Sequence, residues 1–246
     1  MSPSLTIAVS NQSLFDETAF FLSSLDGAEV VRVDEANVGP SAIAGLTDLA
    51  VLNPTTIIAA NGLYDVYPYF GISSWGEAGV NILLPGGLES GPTQLVVPES
   101  LSSFESQARI ILRENYGFNV AVTIEDAATE HAAVLVLGPP EADGLVLDLA
   151  QEWSEAENYP LVLGLLVSRM DSQPEGTRRL LEEINERLAP TSDRDDDDVL
   201  ALPRIRFGFD DLITASLTAL SEHLFYYNIT DEIQLVKPIA IDIPGE

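Results

Sequence analysis

The chain has 246 residues, 46 % of them hydrophobic and 20 % charged. It can bury a large core, as one broad domain or as two lobes of roughly 100 to 150 residues each, and it is not a disordered acidic chain. Eleven basic residues against 39 acidic ones give a formal charge of −28, and Lys237 is the only lysine, which argues against nucleic acid as a partner because a polyanion needs a basic face.

Leu5–Val9 predicts a short strand that stops at the polar turn Ser10-Asn11-Gln12-Ser13, after which Phe15, Thr18, Ala19, Leu22 and Leu25 recur at helical spacing. Ala28–Val33 alternates as a strand, Ser41–Leu46 predicts a short helix, and Asp48–Leu52 a further strand. Asn53-Pro54-Thr55-Thr56 opens another helix, with Pro54 pre-set for its first turn. Glycine and proline punctuate the stretch from Pro68 to Pro92 around short β-rich runs, which suits a crossing between lobes. Thr93–Val97 predicts a strand. Ser100–Ser103 then leads into a helix, with Ser102-x-x-Glu105 as a capping box and Gly117 as the stop.

Val120–Ile124, Ala132–Leu137, Leu145–Leu149 and Leu161–Ser168 predict further strands, with a helix over Gln151–Glu157 before the last. Pro174 opens a helix that buries Leu180, Leu181, Ile184 and Leu188 and closes at Ala189-Pro190. The run Thr191–Asp198 reads as a solvated loop, since a cation loop needs ligands spaced around a glycine bend. Leu200–Phe209 leads to a final helix from Asp210 or Asp211 that packs on the first lobe. Strands alternating with helices indicate parallel α/β sheets.

The apolar runs are far shorter than the roughly 20 residues of a membrane span, so no membrane partner is expected. The opening MSPSLTIAVSNQS has neither a basic n-region nor a long apolar stretch, so a cytoplasmic protein is expected. An acidic surface nearly free of lysine suits concentrated salt, where screening relieves self-repulsion. The absence of cysteine excludes disulfides and thiolate metal sites.

Two turns carry the candidate chemistry. Ser10–Ser13 and Ser100–Ser103 each put hydroxyls and backbone N–H groups at a helix N-terminus, where the positive end of the dipole attracts carboxylates. Each alone is an ordinary cap; facing one cleft, they would make an anion site. His131 and His223 have no motif partners and are read as structural or surface residues. Serine-hydrolase, Walker and dinucleotide motifs are missing. Trp153 is read as packing between lobe elements.

The run LVLDLAQEWSEAENYPLVLGLLVSRMD over Leu145–Asp171 resembles the "DLGEEW … LPFVFAVW … RRD" signature of chorismate dehydratases of the futalosine route to menaquinone, with Asp148, Leu149, Glu152, Trp153, Pro160 and Arg169 at matching places. GISSWGEAGVNILL over Gly71–Leu84 is similar to that family's "ISSDGPVGSVLL", and IAVSNQS, TDLAVLNPT, SQARIILRENYG and LSEHLFYYNITDE follow family segments in the same order. The resemblance implies an α/β, two-lobed fold of the type II periplasmic-binding-protein kind with a ligand cleft between the lobes. Residues 1–92 and 199–246 would form the first lobe and 93–198 the second.

The implied reaction is carbon–oxygen lyase chemistry, converting chorismate to 3-[(1-carboxyvinyl)oxy]benzoate with no metal or organic cofactor. The implied partner is a small carboxylate. Ser10, Asn11, Ser73, Ser100 and Ser102 are the first candidates to hold it, followed by Asn53, Ser74 and Asn81, with Arg109 and Arg169 supplying charge. In the family the serine after the second glycine touches the substrate, and here Val80 stands in its place. A methyl cannot make that bond, so Ser73, Ser74 or Asn81 would take it over. Val80, and Asn53 in place of an apolar residue, favour the alternative of a non-catalytic small-anion-binding protein of the same fold. The related naphthoate synthase relies on a histidine, and no predicted cleft loop carries one.

Overall fold

The computed structural model describes residues 4–89, 91–124, 132–188 and 205–241. His131, the pair Glu125-Asp126 and the aspartate-rich run 191–198 lie outside the described residues.

Two sheets organise the chain. The first contains β1 (Leu5–Ser10), β2 (Ala28–Val33), β3 (Leu49–Leu52), β4 (Tyr64–Ser74), β10 (Leu161–Arg169) and β11 (Arg206–Phe207), in the order β11-β4-β10-β3-β1-β2. The second contains β5 (Val80–Leu84), β6 (Gln94–Val97), β7 (Ala121–Ile124), β8 (Ala133–Leu137) and β9 (Leu145–Asp148), in the order β7-β6-β8-β5-β9. Both sheets are mixed where the alternation of elements indicates parallel ones. The pairs β1–β2 and β1–β3 are parallel, but β10 runs antiparallel to β3 and β4, and β5 runs antiparallel to β8 and β9.

The same pairing shifts the expected lobe boundary at residue 93. β5 belongs to the second sheet, and β10 returns to the first. The chain therefore crosses between sheets twice, from β4 to β5 and from β9 to β10. β10 shows why it returns: its run LVLGLLVS is buried throughout, as a strand covered on both faces requires. Gly164 keeps that strand close to its neighbours, since an added Cβ would sit 2.9 Å from Val51 Cγ1.

The helices follow local capping chemistry. In α3 (Pro54–Ala59) the Asn53 side chain accepts from Thr55 N at 2.9 Å, and Pro54 occupies the first turn. In α5 (Leu149–Glu157) Asp148 caps the start and Asn158, at φ 57°, closes the end in the left-handed conformation. In α7 (Asp211–Tyr226) Asp210 accepts from Ile213 N at 2.9 Å. The helices α1 (Asp16–Ser23), α4 (Glu105–Glu114) and α6 (Thr177–Leu188) bury apolar stripes in the usual way. None of the helices among the described residues is long and apolar enough to cross a membrane.

Two local expectations fail. The helix α2 spans Glu35–Ile43, starting well before Ser41, and takes Pro40 into its interior. Proline has no N–H for the carbonyl four residues back, so the Ala36 carbonyl loses its helical donor. The capping box at Ser102 is absent: Glu99–Phe104 forms a 3-10 turn, Ser102 lies inside it, and α4 starts at Glu105 without a side-chain cap.

Asp148 has a larger role than a cap. Its carboxylate accepts from Ala78 N at 3.2 Å and Gly79 N at 2.9 Å on the outgoing crossing, and from Ala150 N at 2.9 Å and Gln151 N at 3.2 Å on the return. One side chain thus ties together both passages between the sheets.

Candidate functional site

The strand register decides which residues can meet between the sheets. β1 and β3 are parallel, so Ser10 and Asn53 leave the first sheet at the same end. From the second sheet, the 3-10 turn and the start of α4 approach that end. The two polar turns come into direct contact, with the Gln12 side-chain amide donating to the Ser100 carbonyl. Asn53 Nδ2 lies 3.4 Å from Gln107 Oε1 on α4, a second polar link between the halves.

Four buried polar atoms at this junction make no hydrogen bond of ordinary geometry: Gln12 Oε1, Thr55 Oγ1, Gln107 Nε2 and Ser103 Oγ, the last of which stands near enough to the Glu35 carboxyl to favour its charged form. The orientations of both glutamine amides follow from the bonds they make. Gln12 donates through nitrogen to a carbonyl, while Gln107 accepts through oxygen from an asparagine whose own oxygen caps α3. Leaving a buried polar group unpaired costs about 1–3 kcal/mol, and native structures leave few such groups. Three of the four are groups able to donate and one is an acceptor.

Beside them opens a cavity of about 200 Å³, lined by Glu35, Ala36, Pro40, Thr56, Ser102 and Ser103 among others. Glu35 projects from the first turn of α2 toward hydroxyls of both halves. Burial raises its carboxyl pKa above the ordinary glutamate value, while the Ser10 and Ser103 hydroxyls pull the other way. Burial is the larger effect, so the carboxyl keeps its proton to a higher pH than an ordinary glutamate does.

The menaquinone biosynthesis family matches residues 12–194, about three-quarters of the chain. The chain belongs to that family. Solved structures agree on the fold. Protein AF1704 from Archaeoglobus fulgidus superposes with a TM-score of 0.63 at 16 % identity, covering 92 % of this chain and 98 % of that one. The alkanesulfonate-binding protein SsuA from Xanthomonas axonopodis pv. citri, solved with MOPS bound, gives a TM-score of 0.61 at 14 % identity, covering 96 % and 97 %. Candida albicans CA3427, described as having the generic periplasmic-binding-protein structural fold, gives 0.53 at 12 %, covering 99 % of each chain. A search of curated proteins finds no match.

Within this family member, the residues singled out from the sequence separate into two groups. Ser10 is 1 % exposed at the end of β1, Asn53 is 2 % exposed at the α3 cap, and Ser102 lines the cavity; these three lie at the junction. Ser100 contributes its carbonyl, and its side chain is exposed. Ser73 is buried at the same end of the first sheet, opposite Val162 and Arg206.

The others serve structure. Asn11 is exposed and donates to Asp34 at 2.7 Å. Ser74 closes its own turn on the Gly76 carbonyl at 2.7 Å, and Asn81 donates to the Gly138 carbonyl at 2.9 Å. Val80 itself is fully buried in β5.

Neither arginine lines the cavity. Arg109 pairs with Glu105 one turn back on α4, at 3.3 Å. Arg169 sits at the wrong end of the sheet: Leu165 opposes Leu52 and Val167 opposes Ala50, so β10 carries Arg169 past the start of β3, away from Asn53. Among the described residues, no arginine or lysine lines the cavity. Trp153 packs inside, with its indole N–H donating to Ser216 Oγ at 3.1 Å, and His223 pairs with Glu157 at 2.8 Å.

Sequence reasoning missed Glu35, Gln107 and the weight of Gln12 and Ser103. The proline in Val38-Gly39-Pro40 hid α2, and with it the placement of Glu35 at a helix start. Gln107 did leave a signal, as a polar residue on the otherwise buried face Ser106–Ala108 of α4.

Proposed function

We propose that this protein is a chorismate dehydratase, a carbon–oxygen lyase that converts chorismate to 3-[(1-carboxyvinyl)oxy]benzoate in menaquinone biosynthesis. The observation that supports this most is the set of four unpartnered buried atoms at the junction of the two sheets. Gln107 Nε2 and the Thr55 and Ser103 hydroxyls can donate to a carboxylate, and Gln12 Oε1 can accept from a ring hydroxyl. Chorismate offers both kinds of group.

The reaction gains an aromatic ring, so the protein's task is chiefly to orient the substrate and ease the departure of one ring proton and one hydroxyl. It asks for no metal or organic cofactor. Neutral amides and hydroxyls hold the carboxylates. A net charge of −28 opposes approach of a dianion at low salt, and concentrated salt in the cytoplasm relieves that repulsion.

Incubating the purified full chain with chorismate in molar KCl, and resolving the mixture by chromatography, tests the proposal. The aromatic product should accumulate with enzyme concentration and time. Unchanged chorismate, together with a chorismate-induced rise in melting temperature, would refute catalysis and leave a binding protein.

A further inference from the structure

Glu35 poses a physical problem for the reading above. It lines the cavity between the sheets and stands within reach of Ser10 at the end of β1 and Ser103 in the 3-10 turn. As a carboxylate it would repel a dianionic ligand, and among the described residues no lysine or arginine lines the cavity to neutralise it. As a carboxylic acid it removes the repulsion and gains an O–H donor. Partial burial among the cavity-lining residues moves the balance toward that form, against the pull of the Ser10 and Ser103 hydroxyls.

The proposed dehydration also lacks an acid in the residues assigned so far. Hydroxide is a poor leaving group, and Gln12, Asn53, Gln107 and the serines of the junction can hydrogen-bond a hydroxyl but cannot protonate it at neutral pH. Glu35 lines the cavity from the helix after β2, and Gln12 lies on the loop after β1, the strand beside β2. A ring hydroxyl held there meets one group able to give it a proton.

Resting on the dehydratase reading, we infer that Glu35 is the general acid that protonates the departing hydroxyl. The bond between hydrogen and the ether-bearing ring carbon breaks, its electron pair enters the ring and its proton passes to solvent water. The carbon–oxygen bond of the neighbouring carbon breaks with its pair on oxygen, and the Glu35 proton completes a water molecule. The Glu35 carboxylate then recovers a proton from solvent, so the cycle closes without net oxidation or reduction.

Glu35→Gln and Glu35→Asp, made in the full chain and assayed with chorismate in molar KCl, test this assignment. Glu35→Gln keeps a neutral polar group of the same shape, so chorismate affinity by calorimetry should stay within about threefold while kcat falls roughly 10²–10³-fold. Wild-type kcat should fall as pH rises past an ionisation above the ordinary glutamate value. Glu35→Gln should lose that limb, and Glu35→Asp should retain it at a reduced rate. A Glu35→Gln enzyme within about threefold of wild type that still shows the limb would overturn the role of Glu35 and leave the dehydratase reading intact. A wild-type protein that converts no chorismate would overturn the reading itself, and the inference with it.

Discussion

Gln107→Leu separates a ligand-binding role from a structural one. The Gln107 side chain is 0 % exposed and its Nε2 has no partner, an arrangement that costs about 1–3 kcal/mol. Its other bond, from Asn53 Nδ2, is long at 3.4 Å and contributes at most about 0.5 kcal/mol. Leucine fills a similar volume and removes the unpaired Nε2, but it strands the buried Asn53 Nδ2 at a similar cost, so the ligand-free variant should melt within about 2–4 °C of wild type. Affinity should fall. Losing a hydrogen bond to a charged carboxylate costs about 1.5–3 kcal/mol, or roughly 10- to 150-fold in Kd. Calorimetric melting and chorismate titration on the same preparation measure both. A larger loss of Tm with unchanged affinity would show that the amide is a structural link between the sheets, and would refute the argument from unpaired atoms.

Asp148→Ala removes the acceptor for four backbone N–H groups on the two crossings and should cost about 2–4 kcal/mol in urea unfolding, whereas a loss under about 0.5 kcal/mol would deny it that role. Ser216→Ala strands both the Trp153 indole N–H and the Pro160 carbonyl, at 3.1 and 2.7 Å from the hydroxyl; the urea midpoint should drop by the equivalent of about 1–3 kcal/mol at constant m. The raised pKa of Glu35 has a definite sign in stability: its contribution is fully present below the ordinary glutamate value of 4.5 and is lost as pH rises through its own higher value. Glu35→Gln should therefore match wild type in acid and melt above it only at pH values beyond the Glu35 ionisation, and a wild-type advantage there would contradict the burial argument. Finally, a chain at −28 should lose Tm steadily as KCl is diluted from molar to millimolar, and a salt-independent Tm would remove the case for a salt-adapted surface.

The sequence disclosed most of this fold because its strands are short apolar runs between strong turn signals. Leu161–Arg169 and Leu49–Leu52 lie within a residue or two of their expected places. Pairing was harder to read. Nothing in the composition of β10 says that it turns back antiparallel into the first sheet, and that one fact sends Arg169 to the far end. The meeting of the Ser10–Ser13 and Ser100–Ser103 turns could be expected from their shared chemistry, but which atoms remain unpaired is a property of packing. Gln12 and Gln107 became visible only once Ser100 and Asn53 had taken one end of each amide. Charge misled in the opposite direction: a search for cations to hold a dianion pointed to Arg109, which is occupied by Glu105, while the group of interest was an acid.

A crystal structure of the protein with chorismate tests the central claim most directly. The account predicts the ligand between the two sheets, with a carboxylate within hydrogen-bond distance of Ser103 Oγ and Gln107 Nε2 and the ring hydroxyl near Gln12 and Glu35. Chorismate bound elsewhere, with those atoms still unpaired, would contradict it.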